Sequence, residues 1–415
     1  MERSFFITLL LLLGVVINSS AYAGTDIMKD DDLPQYADPL QVIFLVGMES
    51  LIKQDYPSAV MVFTALSKET DSARVKLELA RALFLDRQYS ASRERFFNLL
   101  HESDLPWAVQ ENIRRYLKLI DNALGSLRYS LSPLYDTNPL NYTDHKAIYV
   151  AGGILDLVPP SDNDEVYGMS YSFGASKAFT DDASVGGYFD FSFRDLEGSS
   201  LDRVTVDTGI SLAPRNHPKI RGKIGFEESY YGGEHSYSMP YGTVIYSPDS
   251  VDQFRFSVSI KLGKLDVHEF DYLDAYTQGI DLRASKAFST NAQAIGHVYV
   301  ENADTDEKPY SYRGAGIGLD ISFPIASAWG GNFSGSIGAR NYLAIDPVFG
   351  EKRKDITRKI GLTLYNRQWT VFGMVPEFGL HYEERSSSLD FYEYDKMSFI
   401  LRLKCQLSTG CSAYN

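Results

Sequence analysis

Residues 183–194, Ala-Ser-Val-Gly-Gly-Tyr-Phe-Asp-Phe-Ser-Phe-Arg, alternate between apolar and polar side chains. From Val185 to Phe193 the apolar residues share one parity with Gly187, and the polar residues share the other. Successive side chains of a strand point to opposite faces, so this pattern predicts a strand with one apolar and one polar face. A soluble sandwich would bury the apolar face, whereas an outer-membrane barrel would turn it toward lipid. Periodicity alone leaves both architectures open.

The same alternation continues from about Leu127 to Lys404. Breaks at turn-forming residues divide this stretch into about fourteen strands, over residues 127–135, 166–178, 183–194, 201–212, 219–230, 236–246, 251–263, 270–287, 292–301, 310–323, 330–341, 355–365, 370–384 and 391–404. An even number of antiparallel strands is typical of bacterial outer-membrane barrels.

Composition narrows the class of protein. The chain has 415 residues, 44% of them apolar, and it is rich in Tyr (28) and Phe (24), which suits the aromatic girdles of a barrel. Its formal net charge of -14 argues against nucleic acid and against a polybasic membrane-surface protein as a function.

The N-terminal residues indicate export. Arg3, an apolar run from Phe5 to Ile17 and the small residues Ala21 and Ala23 predict a signal peptide over residues 1–23. No later stretch reaches the roughly 18 apolar residues of a membrane helix. We therefore expect the alternating stretch to enter the outer membrane as a barrel.

A helical domain is predicted over residues 24–125. Apolar residues there recur at intervals of three and four, the pattern of amphipathic helices. A shift of about 33 residues aligns two copies: Tyr56, Phe63 and Leu66 match Tyr89, Phe96 and Leu99, and Gly47 matches Ala80. This period resembles tetratricopeptide (TPR) repeats, which stack into concave binding surfaces. A plain helical cap on the next domain is the alternative.

Connection lengths support a barrel whose helical domain lies in the periplasm. Tight turns at residues 180–182, 247–250, 289–291 and 366–368 fall on one parity, and the longer stretches 136–165, 302–309 and 343–354 fall on the other. Short periplasmic turns and long surface loops are what an outer-membrane barrel requires. The fold class predicted is α+β multidomain: N-terminal α-helical TPR-like repeats, a transmembrane antiparallel β-barrel of about 14 strands over residues 126–404, and a C-terminal tail over residues 405–415.

This combination resembles the surface lipoprotein assembly modifier (Slam) family of secretion proteins. Three stretches carry the resemblance: Asp136-Thr137-Asn138, the block from Phe349 to Asp355, and the last hairpin from Val375-Pro376 to Tyr394. The resemblance implies an outer-membrane protein that helps a client, either a surface lipoprotein or a soluble secreted protein, reach the cell surface. The partners implied are that client, a periplasmic chaperone and outer-membrane lipids, with no cofactor and no nucleic acid.

Candidate client-binding or gating residues follow from these motifs and repeats: Tyr56, Tyr89, Asp136, Asn138, Phe349, Arg353, Asp355 and Pro376. Each has a structural alternative. Asp and Asn at a strand end commonly form turns, and Arg353 could pair with Asp355 within a loop. Gly314, Gly316 and Gly318 share one strand parity, so close packing or lumen space is predicted there rather than a phosphate loop.

The alternative functions and two local features remain to be considered. The seven His residues accompany no nucleophile motif, so an enzyme is not expected. A passive porin, or a surface adhesion or host-interaction barrel, is the alternative function. Residues 147–157 are predicted as an extracellular hairpin, a plug or an extra strand pair. Cys405 and Cys411 could form a terminal disulfide loop in an oxidising periplasm.

Overall fold

A computed structural model describes residues 38–101, 105–150, 153–158, 165–289, 292–326, 328–366, 368, 369, 371 and 374–408. The predicted signal peptide lies outside these residues. Five helices precede the sheet within the described part: α1 Pro39–Ile52, α2 Tyr56–Glu69, α3 Ala73–Leu85, α4 Tyr89–His101 and α5 Trp107–Leu124. None of the described helices combines the length and the apolar character needed to cross a membrane.

The sheet is a closed antiparallel barrel of fourteen strands, which confirms the predicted fold class. Its strands are β1 Gly125–Asp136, β4 Val166–Ala178, β5 Val185–Leu196, β6 Arg203–Leu212, β7 Ile220–Tyr231, β8 Glu234–Tyr246, β9 Phe254–Val267, β10 Ala275–Ser289, β11 Ala292–Thr305, β12 Tyr312–Pro324, β13 Trp329–Tyr342, β14 Lys354–Asn366, β15 Val375–Ser387 and β16 Tyr394–Ser408. Each strand pairs with its neighbour along the chain, and β1 closes the ring on β16. A closed ring leaves no unpaired sheet edge.

The two faces of the barrel follow the alternation in the sequence. On β5, Phe189 is 39% exposed on the outer face, whereas Tyr188 is buried and points inward. The same division holds on β11, where Val298 and Val300 are exposed and His297 lies against a strand on the inner side. The apolar parity therefore faces outward, as a barrel in lipid requires.

The helical part consists of two helix pairs and a last long helix. Gln54 and Arg87, 33 residues apart in the sequence, both adopt a left-handed backbone between the helices of their pair. Phe63 and Phe96 are fully buried in the same relative positions. Ser92, which replaces the Ala59 of the first copy, is also fully buried, and its hydroxyl donates to the carbonyl of Ala80 at 2.8 Å. The repeat in the sequence is thus a repeat in packing.

Helix α5 leads directly into the barrel. It ends at Leu124, and Gly125 has an extended backbone (φ 164, ψ 158) that begins β1. Because the chain turns from helix to strand without a linker, the helical part is held at the rim where β1 starts. We call this the helix-side rim and the opposite end the outer rim.

The connections agree with the predicted parity in part. The connections predicted as tight turns lie on the helix-side rim, and the two longest connections, from β1 to β4 and from β13 to β14, lie on the outer rim. The outer rim also has a two-residue turn, Gly232-Gly233, between β7 and β8. Residues 302–309, expected as a third excursion, instead complete β11 and a short 3-10 turn. Their polar side chains hid the strand from a periodicity argument, because ladder hydrogen bonds involve only the backbone.

Residues 147–157 form a separate hairpin on the outer rim. β2 Ala147–Val150 pairs with β3 Gly153–Asp156 outside the barrel sheet. The structure thus shows an extra strand pair, and its placement outside the cell stays a prediction.

Packing at Gly47 gives a test of the repeat. A Cβ built on Gly47 would lie 2.7 Å from the fully buried ring of Phe63. Gly47→Val should therefore lower the free energy of unfolding of the helices by roughly 1–3 kcal/mol, the usual cost of overpacking. Urea unfolding of the full chain, followed by its helical circular dichroism, measures this. Gln41→Val on the exposed face of α1 is the control, and an equal effect of both changes would contradict the packing.

Candidate functional site

The first part of the candidate site is an outer strap, residues 137–146, which crosses the start of β16. The backbone N–H of Thr137 donates to the carbonyl of Met397 at 3.1 Å, and the N–H of Met397 donates to the Thr137 hydroxyl at 2.9 Å. These bonds continue the pairing of β1 with β16 beyond the last residue of β1. The strap therefore holds the outer end of the barrel's closing seam.

Asp136 and Asn138 build the first turn of this strap, and both are buried. The Asp136 carboxylate accepts from the N–H of Asn138 at 3.0 Å. The Asn138 amide donates to the carbonyls of Tyr142 and Asp395 at 2.8 and 3.2 Å, and its oxygen accepts from the Tyr142 N–H at 2.8 Å. All of these partners belong to the chain itself. The geometry favours the turn alternative over direct client contact for these two residues.

Arg353 and Asp355 form a bidentate ion pair at the start of β14. The guanidinium Nε lies 3.0 and 2.9 Å from the two carboxylate oxygens, and Nη2 lies 2.6 Å from Oδ2. The side chain of Asp355 is 2% exposed and that of Arg353 12%. The Ser387 hydroxyl donates to Asp355 at 2.8 Å. The sequence suggested an exposed pair within a loop, but the structure buries the pair. Removing one partner would therefore cost far more stability than breaking an exposed pair.

Aromatic rings enclose this pair. The Arg353 guanidinium carbon lies 3.4 Å from the ring centre of Tyr392 and 4.5 Å from that of Tyr342. The ring of Phe349 lies 5.9 Å from that of Tyr392. Burial in this setting raises the pKa of Tyr392 above its usual value, although the nearby Arg353 charge opposes the shift. Phe349, Arg353, Asp355, Tyr342 and Tyr392 are together called the outer cluster.

The barrel lumen forms the second part of the site. Its wall carries polar residues that leave a cavity of about 480 Å³ near β1, β4 and β5, lined by Arg128, Ser130, Ser172, Asp190 and Arg402 among others. Further along the wall, the Tyr241 hydroxyl donates to the Asp207 carboxylate and lies 2.8 Å from the hydroxyl of Tyr188. The sequence gives no signal for the two tyrosines beyond their polar parity.

Glycines make room for large lumen side chains. A Cβ on Gly316 would lie 2.6 Å from the ring of Tyr299, and one on Gly318 would lie 2.2 Å from the ring of His297. Next to them, Arg340 donates to Glu301 at 2.6 and 3.2 Å. The glycines of β12 thus serve close packing inside the lumen, as the parity predicts, and do not form a phosphate loop.

The remaining candidates lie elsewhere. Tyr56 packs against the core of the first helix pair, and the ring of Tyr89 lies 5.8 Å from that of Phe84. Pro376 pairs with Leu403 near the helix-side end of β15. The structure therefore brings together only the predicted residues of the outer rim. Tyr56 and Tyr89 belong to the packing of the helices.

The helices rest on the helix-side rim through specific polar contacts. Buried Asp86 forms an ion pair with Arg215, and Arg87 donates to the carbonyl of Ala213 at 2.8 Å. The Ser90 hydroxyl donates to Asp181 at 3.1 Å. Burial would raise the pKa of the neighbouring Asp182, but hydrogen bonds from Ser184 and Thr180 and the charge of Arg87 bring it below its usual value. Sequence reasoning missed this seat because its partners are far apart in the chain.

Two features lie next to the outer strap. The β2–β3 hairpin exposes apolar side chains, with Tyr149 74% and Ile154 65% exposed.

The seam is the second feature. On the seam, the β1–β16 ladder pairs Leu131 with Leu403 and resumes at Leu134 with Ile400. Pro133 lies in this gap and has no N–H to donate. On the outer face of the barrel, an apolar pocket of about 530 Å³ lies beside this interruption of the ladder.

The cysteines are only partly described. The backbone of Cys405 pairs with Tyr129 within β16, which continues to Ser408 and not only to Lys404 as predicted. Cys411 lies outside the described residues, so their pairing stays a prediction.

Comparison with known proteins comes from three sources. The family model described as surface lipoprotein assembly modifier matches residues 127–406. No curated protein matches the chain. Solved structures similar to it include OpdK of Pseudomonas aeruginosa with vanillate (10% identity, TM-score 0.40, covering 68% of this chain and 99% of that one). An anion-selective porin from Comamonas acidovorans (10%, 0.36, 68% and 98%) and a bacterial polysaccharide outer membrane secretin (12%, 0.35, 68% and 99%) are also similar.

The buried ion pair of the outer cluster can be tested by removing one partner. Arg353→Met leaves the Asp355 carboxylate buried without its counter-charge, which should cost roughly 3–5 kcal/mol of stability. Thermal unfolding of the purified barrel, read by its mobility in denaturing gels, measures the loss. Arg358→Met, which breaks the exposed pair with Glu384, should cost about 1 kcal/mol or less. Similar losses in both variants would contradict a special role for the buried pair.

Proposed function

Because the chain belongs to the surface lipoprotein assembly modifier family, we propose that it helps deliver a specific client across the outer membrane to the cell surface. The client is a surface lipoprotein or a soluble secreted protein. The family, matched over the barrel, supports an assembly role rather than catalysis. We place the barrel in the outer membrane and the helical domain in the periplasm.

The observation that carries this proposal is the seating of a repeat domain on the barrel's helix-side rim. Asp86 is buried against Arg215, and α5 enters β1 without a linker. A passive porin needs no such domain at its mouth. Stacked helix pairs commonly bind peptides or partner proteins, so the helices would receive the client, or a chaperone carrying it, directly below the lumen.

The lumen wall supports passage of a polypeptide. Its side chains are mainly polar, and its charges include both signs, such as Arg128 beside Asp190 at 2.7 Å and Arg340 beside Glu301. Mutually paired charges and hydroxyls offer no strong site at which a passing chain would be trapped. The chain has no nucleotide-binding loop, so directionality would come from the client folding or binding outside.

The outer rim supports release. The exposed apolar side chains of the β2–β3 hairpin, Tyr149 and Ile154 among them, are of the kind that marks interaction surfaces. We assign the hairpin, rather than Asp136 or Asn138, as the first contact of an emerging client.

Deletion of residues 38–124 tests the role of the helices. With the barrel intact, surface display of the client should be lost, because the client would no longer be received at the rim. Display is measured by antibody labelling of whole cells, using a client taken from the neighbouring reading frames. Heat-modifiable mobility of the barrel in gels is the control for assembly. Unchanged display from an assembled barrel would refute the proposal.

Bilayer recordings separate the exporter from a porin. The helical domain covers part of the helix-side rim, so the full chain should conduct little and the deletion of residues 38–124 should raise the conductance. A porin would instead conduct steadily in both forms. Arg215→Ala, which removes one contact of the seat, serves as an intermediate variant. Equal, steady conductance of all three proteins would favour the porin.

A further inference from the structure

The outer strap brings three metal-ligating side chains to one point. His145 comes from the strap, and Asp390 and Glu393 come from the turn between β15 and β16. The ligand atoms of all three lie within 4.8 Å of one another. We propose that these residues bind a divalent transition-metal ion, such as Zn²⁺, that fastens the strap to the barrel's seam.

The distances fit a tetrahedral ion. His145 Nε2 lies 3.0 Å from Glu393 Oε2. An ion with bonds of about 2.0–2.1 Å to nitrogen and oxygen places neighbouring ligand atoms roughly 3.3 Å apart. The His–Glu separation is thus already close to that of two ligands of one ion. The ligand atom of Asp390 lies within 4.8 Å of both.

The ligands are held by bonds that do not involve their metal-binding atoms. The Thr143 hydroxyl donates to the backbone carbonyl of Asp390 at 2.8 Å and accepts from the N–H of His145 at 3.3 Å. The second carboxylate oxygen of Glu393 accepts from the N–H of Ser387 at 3.1 Å. Hydrogen bonds that hold the ligand residues in place orient them and raise metal affinity.

The surrounding charge also favours a cation. Besides Asp390 and Glu393, the carboxylates of Asp144 and Asp395 lie close enough to interact with each other. Lys396 is engaged by the carbonyl oxygen of the Asn141 side chain at 2.6 Å. A bound divalent ion would offset this repulsion between like charges.

The ligand set selects the kind of metal. Imidazole suits zinc and other first-row transition ions, whereas calcium and magnesium take oxygen ligands. Three protein ligands leave a fourth position for water in a tetrahedral site. The expected role is mechanical: the ion would join the strap to the turn before β16, next to the interrupted part of the seam. It does not depend on client delivery.

Zn²⁺ titration of the full chain in detergent, after treatment with a chelator, tests the site. Calorimetry should show one Zn²⁺ per chain, and Zn²⁺ should raise the unfolding temperature of the barrel. His145→Asn with Glu393→Gln should weaken Zn²⁺ binding by roughly a hundredfold or more, since loss of a residue that only hydrogen-bonds to a ligand already lowers metal affinity by about 10–100-fold. The matched control is His217→Asn, which removes an exposed imidazole on the helix-side rim. It should leave binding unchanged.

Three results would overturn the site. They are no Zn²⁺ binding by the wild-type chain, equal binding by the double variant, or loss of binding in the His217 control. If the double variant fails to assemble, Co²⁺ bound to the wild-type chain decides the question. Tetrahedral Co²⁺ absorbs strongly in the visible range, and a weak octahedral spectrum, or displacement by Ca²⁺, would count against the proposal.

Discussion

The closure of β1 on β16 is the constraint on which the rest of this structure depends. Inside a bilayer every backbone N–H and C=O must be paired within the protein, so a sheet can cross only as a closed ring. The two strands that close it, β1 and β16, come from opposite ends of the barrel sequence. The ladder between β1 and β16 is also interrupted between Leu131 and Leu134. Pro133 lies in this interruption and has no N–H to donate.

Contacts on the outer rim stabilise the same seam. Thr137 extends the ladder to Met397, and Asn138 ties the strap to the backbone of Asp395. Beside it, the Arg353–Asp355 pair binds Ser387 at the end of β15, and Tyr392 covers the guanidinium. The motif residues of the outer rim thus hold β14, β15, β16 and the strap together, whereas Pro376 lies near the helix-side end of β15.

Much of the fold could be predicted because lipid imposes a simple rule on side chains. Alternation located fourteen strands, and Val166–Ala178 was predicted with the bounds that the structure has. The strand ends that the sequence did not predict lie where side chains no longer face lipid. Residues 302–305 and Cys405–Ser408 continue strands beyond the apolar band, where pairing depends on the backbone and side chains carry no signal. The burial of Arg353 with Asp355 depends on Tyr392, about forty positions away, and short-range patterns hold no information on such contacts.

The two rims hold the opposite ends of β1, the strand that closes the barrel. On the helix-side rim, the connection from α5 into β1 and the Asp86–Arg215 pair tie the helices to the strand that closes the barrel. On the outer rim, the strap ties the other end of that strand to β16. A force on the helices, such as a client bound to them, would therefore reach the seam through β1. The contacts of the outer rim oppose opening of the seam at its other end.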